Sequence, residues 1–375
     1  MNFHKPVKED GSGAYTYVAH MGLVQLFIEV KKGVDQDIFT DPLEYPPPSD
    51  YRFTVDTSGE DEKLSYRISA LGQNAHYAHM VQTRQFRTCV FSLTISGSTA
   101  RMMRWDRSGV LVTEAFDYKA NPQTLIEFVW RFIKAKPAQQ GFDPTAVAVD
   151  SEEDRDSFLV AIRSHVQLQL DLDPTTNEFN DEVSRHYYPG AITRLTIGSH
   201  DIWVSRPLWL SHAIVGRCTA GYWGVRSDTK EVVFVKDVWR TNVKDVELEG
   251  DILKGLQEKG VEHIPTVLSH GDAANGGLSI LPINPVWLLT AFPIDGPQTT
   301  RIDGFTFEPW VKSLHPKDHR LRKITPRVHY RLVMKTAGYP LSFFKGSREL
   351  LKGAFGGFTG RKALSPMVLR SRCLF

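Results

Sequence analysis

The sequence is poor in the features that define several classes of protein. Its 375 residues contain only three cysteines, carry a net charge of only +2, and have no unbroken apolar run long enough to cross a bilayer. Cys89, Cys218 and Cys373 lie far apart, which excludes a disulfide framework and the C-x-x-C spacing of a zinc site. The start of the chain also lacks the apolar segment of a secretory signal. We therefore expect an intracellular protein, cytoplasmic or nuclear, without membrane contact.

An excess of positive or negative charge is also lacking. The chain has 45 Lys and Arg against 43 Asp and Glu, so it has no overall basic field. Such a field supplies most of the affinity of proteins for nucleic acid, and its absence argues against nucleic acid as a partner. The composition is otherwise that of a folded globular protein, with 41% apolar and 23% charged residues.

The length and pattern predict an α+β fold in two domains. A Pro-rich connector, Glu44–Pro48, indicates the first boundary, and an Asp-, Asn- and Pro-rich stretch over 171–190 indicates a linker or long loop. The predicted organisation is an extension over 1–50, an α+β accessory domain over 51–185, a second unit over 190–345 with an insertion at 271–325, and a helix start with an irregular basic tail over 346–375.

Periodicity predicts the elements of the accessory domain. Helices are expected over 71–85 and 124–135, and a three-strand meander over 89–95, 100–105 and 110–112. Ser151 and Asp154 form a capping pattern, after which Phe158, Ile162, Val166 and Leu170 recur every four residues. This apolar stripe must be buried.

The second unit carries the pattern that points to chemistry. Short strands are expected over 191–197, 202–205 and 210–215, and a glycine-containing turn then follows within Val215–Trp223. A strand–turn–strand context is typical of a kinase glycine-rich loop, in which backbone N–H groups approach phosphates. Only two of the three loop glycines are present, so the turn taken alone is better explained as an ordinary tight hairpin.

Two later residues favour the kinase interpretation. Lys236 ends an apolar strand about twenty residues after the loop begins, and a helix is expected over 245–256. Glu249 lies beside the apolar stripe of that helix, whereas Glu247 is expected on its solvated face. A carboxylate at the edge of a buried face can pair with a lysine on the sheet, so Glu249 is the predicted partner of Lys236.

With these residues in place, the sequence resembles the fungal-type protein kinase family from about residue 50 to about residue 355. In the second unit the resemblance rests on Gly216-Arg217-x-Thr219, Val235-Lys236-Asp237-x-Trp239, Glu249–Leu253, Val261-x-x-Ile264-Pro265 and His329–Val333. In the accessory domain it rests on Leu71–Gln73, Arg84–Thr88, Arg104–Gly109 and Gly141–Pro144. The matches at 261–265 and 329–333 correspond to the family's fourth and fifth strands.

The resemblance implies a kinase small lobe with an antiparallel sheet and one helix. Such a lobe binds ATP with magnesium, and the kinase transfers the γ-phosphoryl group of ATP to a protein hydroxyl. By this resemblance, Gly216, Cys218 and Gly221 form the phosphate loop. Lys236 binds the phosphates, and Glu249 orients Lys236. Met334 to Ala337 form the hinge along the adenine edge.

The chain departs from the kinase pattern in two ways. Cys218, Trp223 and Phe234 place bulk where kinases have the second glycine of the loop, a valine and a small alanine. The 375 residues also contain no His-Arg-Asp and no Asp-Phe-Gly, so the proton acceptor and magnesium ligands are lacking. The sequence thus predicts an inactive remnant or binding module, with no large lobe and no assigned catalytic or metal-binding residue. A protein partner could use an exposed apolar surface near Leu341, Phe343 and Phe344.

Two alternatives stay open at this point. The first is an active kinase whose remainder was lost in gene prediction, which an in-frame His-Arg-Asp downstream of the Gly360 codon would support. The second is a nuclease-like metal site formed by Asp106, Asp117 and Lys119. The latter requires that the two carboxylates lie within about 8 Å of each other.

Overall fold

The structure of the protein is a computed structural model that describes residues 4–9, 15–41, 43, 54–55, 62–242, 246–274, 327–339, 344 and 346–364. The Pro-rich connector, most of the predicted insertion, Leu341, Phe343 and the end of the basic tail lie outside the described residues. The fold is mixed α+β, as predicted.

The chain forms two compact units. The first contains the described residues of Met1–Pro144, His212–Cys218 and Ala274–Val328, and the second those of Thr145–Ser211, Thr219–Ala273 and His329–Phe375.

The described residues form six α-helices and fourteen strands. The helices are α1 (Glu62–Arg84), α2 (Pro122–Lys134), α3 (Glu152–Leu170), α4 (Asn177–Ser184), α5 (Glu249–Glu258) and α6 (Ser347–Leu364), and a 3-10 turn covers Val34–Gln36. The strands are β1 (His4–Glu9), β2 (Tyr15–Ala19), β3 (Leu26–Lys31), β4 (Val90–Ser96), β5 (Thr99–Asp106), β6 (Gly109–Val112), β7 (Phe116–Asp117), β8 (Ala146–Ala148), β9 (Thr193–Ile197), β10 (His200–Leu210), β11 (Ala220–Arg226), β12 (Val232–Thr241), β13 (Val267–Asp272) and β14 (Arg327–Met334).

The first unit is built on a five-stranded sheet. Its order is β3-β4-β5-β6, with β7 on β5, and β3 runs parallel to β4 whereas the predicted meander β4-β5-β6 is antiparallel. Neighbouring residues of β4 are buried on opposite faces, since Val90 packs with Ala78 and Val81 of α1 while Phe91 packs with residues of α2. The sheet is therefore covered on both sides, which explains why consecutive residues of β4 and β5 are buried.

The second unit contains a seven-stranded sheet in the order β13-β14-β12-β11-β10-β9-β8. The Ser269 hydroxyl on β13 donates to the Ile197 carbonyl on β9 over 3.1 Å, so the sheet curls back on itself. Helix α3 begins as predicted, because the Ser151 side chain accepts from the backbone N–H of Asp154. Its predicted stripe is buried against this sheet, with Phe158, Ile162 and Val166 fully enclosed.

Several predicted boundaries were wrong. The stretch 171–190 contains helix α4, which Thr176 caps, and is not a simple loop. The strand predicted over 202–205 is part of the longer β10, which has register shifts on both sides of Pro207 and ends at Leu210. No strand forms over 211–215, so the strand predicted over 210–215 was wrong. Helix α5 begins at Glu249, β13 begins at Val267 after the matched 261–265 segment, and α6 runs to Leu364, well into the stretch predicted as an irregular tail.

Candidate functional site

The predicted ion pair between Lys236 and Glu249 is present. The Lys236 Nζ lies 2.7 Å from both carboxylate oxygens of Glu249, and both side chains are about three quarters buried. Lys236 lies on β12, and Glu249 is the first residue of α5, where a carboxylate is favoured by the unpaired N–H groups of the helix terminus. The exposed Glu247 precedes the helix, which leaves Glu249 as the partner of the lysine.

Close packing of α5 on the sheet fixes the position of Glu249. Leu253 and Leu256 are buried, and Leu253 packs with Val238 and Tyr330 of the sheet. The N–H of Gly250 donates to the Tyr330 hydroxyl over 2.9 Å. A Cβ at Gly250 would lie only 2.1 Å from the His270 imidazole, so glycine is what permits the approach of the helix to β13.

Gly221 lies in the same row of the sheet as Lys236. The register pairs Gly221 with Lys236 on one side and with Trp209 on the other, so the three positions point to one face. A Cβ on Gly221 would lie 2.5 Å from the Trp209 indole, which therefore crosses directly over the glycine. The absence of a side chain at Gly221 is explained by this indole, whether or not a phosphate also approaches.

The other two predicted loop residues belong to the first unit. The N–H of Gly216 donates to the Arg107 carbonyl over 2.8 Å, so this donor is already used. Cys218 is in the left-handed region (φ 42°), and its thiol contacts the Ala213 carbonyl at 3.3 Å. Burial raises the pKa of this thiol, although Arg107 partly opposes the shift. The Cys218 side chain therefore turns back onto its own loop.

The predicted hinge follows β14, which ends at Met334. Ala337 is buried, and its carbonyl oxygen lies 2.8 Å from Nε2 of His165 on α3. A carbonyl can only accept, so the proton of this imidazole is on Nε2. Burial lowers the pKa of His165, which keeps the ring neutral.

Trp223 lies within a cluster of rings next to the predicted hinge residues. Its indole is fully buried and stacks on His186, with ring centroids 3.7 Å apart and planes 11° apart. His165 and Tyr339 meet the same indole edge-on, at 4.7 and 4.9 Å. Burial, and secondarily the nearby His165 and Arg185, lowers the pKa of His186 to about 3. These contacts of His165 and His186 were not predicted from the sequence. The apolar pattern of α3 shows which face of the helix is buried, but it does not show which residues pack against that face.

A second buried group of charges lies on β12 and β14. The Asp237 carboxylate is 2.7 Å from His329 Nε2 and 2.8 Å from Arg331 Nε, and all three residues are less than 10% exposed. Burial alone would raise the pKa of Asp237, but the charges and hydrogen bonds of His329 and Arg331 outweigh it and hold the pKa well below its ordinary value. This group fastens adjacent strands beside Lys236, and the sequence analysis did not single it out.

The nuclease-like interpretation is excluded by the first unit's sheet. Asp106 pairs with Gly109 at one end of β5, and Asp117 pairs with Thr99 at the other end. The seven steps of β5 between these ends span about 23 Å, so one metal ion cannot bridge the two carboxylates. Asp106 instead pairs with Arg104 at 2.8 Å and accepts from the Ser108 N–H, which is turn chemistry.

Comparison with known proteins identifies the family. The family model described as "Fungal protein kinase" matches residues 52–366, which is most of the chain. The chain belongs to the fungal protein kinase family. No curated protein and no solved structure matches it.

Two further properties concern the described residues only. Each helix among them is too short or too polar to cross a membrane. No three His, Cys, Asp or Glu side chains in the described ranges come together in a way that could hold a metal ion.

Proposed function

We propose that strands β10 to β14 and helix α5 of the second unit form a kinase-type small lobe, and that residues 1–375 act through binding and do not themselves transfer a phosphoryl group. The observation that carries the proposal is the Lys236–Glu249 ion pair within the strand order β10-β11-β12-β14-β13. Numbered from β10 along the chain, this is the order 1-2-3-5-4. The lysine is on the third strand, and the glutamate is on the helix that follows it, as in protein kinases.

The proposal that these residues bind without transferring a phosphoryl group is supported by the absence of two catalytic motifs from the sequence. Phosphoryl transfer depends on an aspartate that accepts the hydroxyl proton and on side chains that hold magnesium at the phosphates. The 375 residues contain neither His-Arg-Asp nor Asp-Phe-Gly. The Lys236–Glu249 pair alone can position phosphates, but it supplies no base and no metal ligand.

We propose that the binding partner is another protein. Phe344 is exposed, and α6 exposes Leu351, Phe355 and Phe358 at spacings that place them on one face. An exposed apolar stripe suits a protein surface better than nucleic acid, which requires a basic one.

The second candidate is an active kinase, because a formed Lys–Glu pair is also what active kinases require. A phosphoryl-transfer assay separates the two candidates. Residues 1–375 are incubated with magnesium and γ-labelled ATP, with a general protein acceptor present. We expect the same background for the wild type, for Lys236→Ala and for Lys254→Ala, an exposed lysine on α5.

An active enzyme would give a different result. The wild type and Lys254→Ala would then transfer label, and Lys236→Ala would lose on the order of 100-fold in rate. That pattern would show that these residues catalyse transfer and would contradict the proposed binding function.

A further inference from the structure

The face of the sheet that carries Lys236 can be followed residue by residue. Phe234 lies two positions before Lys236 on β12 and therefore points to the same face. The register pairs Phe234 with Trp223 and Lys236 with Gly221 on β11, so these two residues share that face as well. In a kinase small lobe this is the face that covers the adenine and the phosphates, as the resemblance to kinases implies.

Helices α3 and α4 already cover this face. Trp223 is fully buried among Phe158, Ile162 and Val166 of α3 and residues of α4, and Phe234 packs against the same cluster. The bulky Trp223 and Phe234, which replace a valine and a small alanine of the kinase pattern, thus have a structural use. They fill the space between the sheet and α3.

The contacts of His165 and His186 resemble those that a bound adenine would make. An adenine amino group would donate to a hinge carbonyl, and here the Nε2–H of His165 donates to the Ala337 carbonyl over 2.8 Å. A planar ring also lies on the indole, because His186 stacks on Trp223 with ring centroids 3.7 Å apart. Helix α3 and His186 together supply a hydrogen-bond donor and a stacked heterocycle, which are the two groups that adenine would contribute.

Two buried polar atoms in the ring cluster around Trp223 lack hydrogen bonds. Among the described residues, the buried Trp223 Nε1 and His186 Nδ1 have no hydrogen-bond partner. An unpaired buried polar atom weakens the packing that holds it, so the association of α3 with this face is less stable than its apolar area suggests.

We infer that α3 and His186 are an internal occupant of the adenine site, so that a nucleotide binds only by displacing α3. The inference rests on the assignment of the second unit as a kinase-type small lobe. The measured affinity for a nucleotide equals its affinity for the open form multiplied by the fraction of molecules in which α3 has left the face. A change that weakens the hold of α3 therefore tightens nucleotide binding without adding any contact to the nucleotide.

Calorimetric titration of residues 1–375 with Mg·ATP tests this inference. We expect the wild type to bind with a Kd of roughly 1 mM or weaker. His165→Leu keeps the apolar volume but loses the donor to Ala337, and we expect it to bind about tenfold more tightly. His165→Gln keeps an N–H donor at the same place and should behave as the wild type does. Leu168→Ala, an exposed position on α3, is the matched control and should also leave binding unchanged.

The outcomes separate this inference from the lobe assignment. Adding Lys236→Ala to His165→Leu should remove the gained affinity, because the nucleotide then lacks its phosphate partner. Micromolar binding by the wild type that depends on Lys236 would overturn the occlusion and leave the lobe assignment standing. A gain in His165→Leu that persists without Lys236 would place the nucleotide elsewhere and overturn both. No gain in folded His165→Leu would overturn the inference alone.

If His165→Leu does not fold, hydrogen exchange of the wild type in excess Mg·ATP decides the question. Faster exchange across α3 on nucleotide binding supports the inference, whereas no binding at all in excess Mg·ATP would mean that there is no adenine site for α3 to occupy and overturns it. Binding with α3 as protected as before overturns it.

Discussion

Replacement of Asp237 by alanine is expected to lower the free energy of unfolding of the second unit by about 3–5 kcal/mol. The change leaves the buried His329 and Arg331 without the carboxylate that lies 2.7 and 2.8 Å from them. A buried charge that loses its partner is costly, because water cannot replace the lost interaction. Urea unfolding monitored by tryptophan fluorescence measures the effect.

Asp272→Ala is the matched control. Asp272 also makes two contacts with one arginine, Arg240, at 2.6 and 2.8 Å, but both side chains are about a quarter exposed. An ion pair that water still reaches contributes less than a fully buried one, so we expect a loss of at most about 1 kcal/mol. Equal losses for the two variants would mean that the Asp237 group is not the buried fastening described above.

The Asp237 group also predicts an acid dependence. The pKa of Asp237 in the folded protein lies below its unfolded value of about 4. Its contribution is therefore complete above that unfolded value and is lost as the pH falls below it. We expect Asp237→Asn to lose stability less steeply than the wild type over this acid range.

Replacement of Trp223 by alanine is the second large effect, with an expected loss of about 3–5 kcal/mol. The fully buried indole contacts His165, His186 and Tyr339, and its removal leaves a cavity between α3 and the sheet. Thermal or urea unfolding measures the loss. The same variant should raise the exchange rate of α3 amides, because α3 loses the ring on which it packs.

Trp209→Ala provides the control on the same sheet. Trp209 is 45% exposed and lies over Gly221, so its removal creates no enclosed cavity and should cost about 1 kcal/mol. A Trp223→Ala variant as stable as Trp209→Ala would be incompatible with a buried Trp223 that joins α3 to the sheet.

Local patterns predicted the elements whose signals are contained in one stretch of chain. The four-residue spacing of Phe158, Ile162 and Val166, with the cap at Ser151, predicted α3 and its buried face. The kinase pattern of a strand lysine followed by a helix, with Glu249 beside the apolar stripe of that helix, predicted the pairing of Glu249 with Lys236. The family resemblance indicated two further strands, of which the one at 329–333 lies within β14, whereas the one at 261–265 lies just before β13.

Long-range contacts were not predictable in the same way. His329 and Arg331 lie 92 and 94 residues from Asp237, and nothing in either strand indicates which partner it meets. The pattern of α3 required a covering surface but did not identify the sheet that provides it. Helix α4 was missed because its Asp- and Asn-rich surroundings resemble a loop, although Phe179 and Val183 supply a short buried face.

Hydrogen exchange of the wild-type chain without nucleotide tests most directly whether α3 covers the proposed nucleotide face. The amides of Phe158–Val166 are compared with those of Tyr222–Val225 in β11. We expect both segments to exchange slowly and to a similar degree, because each depends on the same buried cluster. Rapid exchange throughout α3 while β11 stays protected would show that the face is open and that α3 does not cover it.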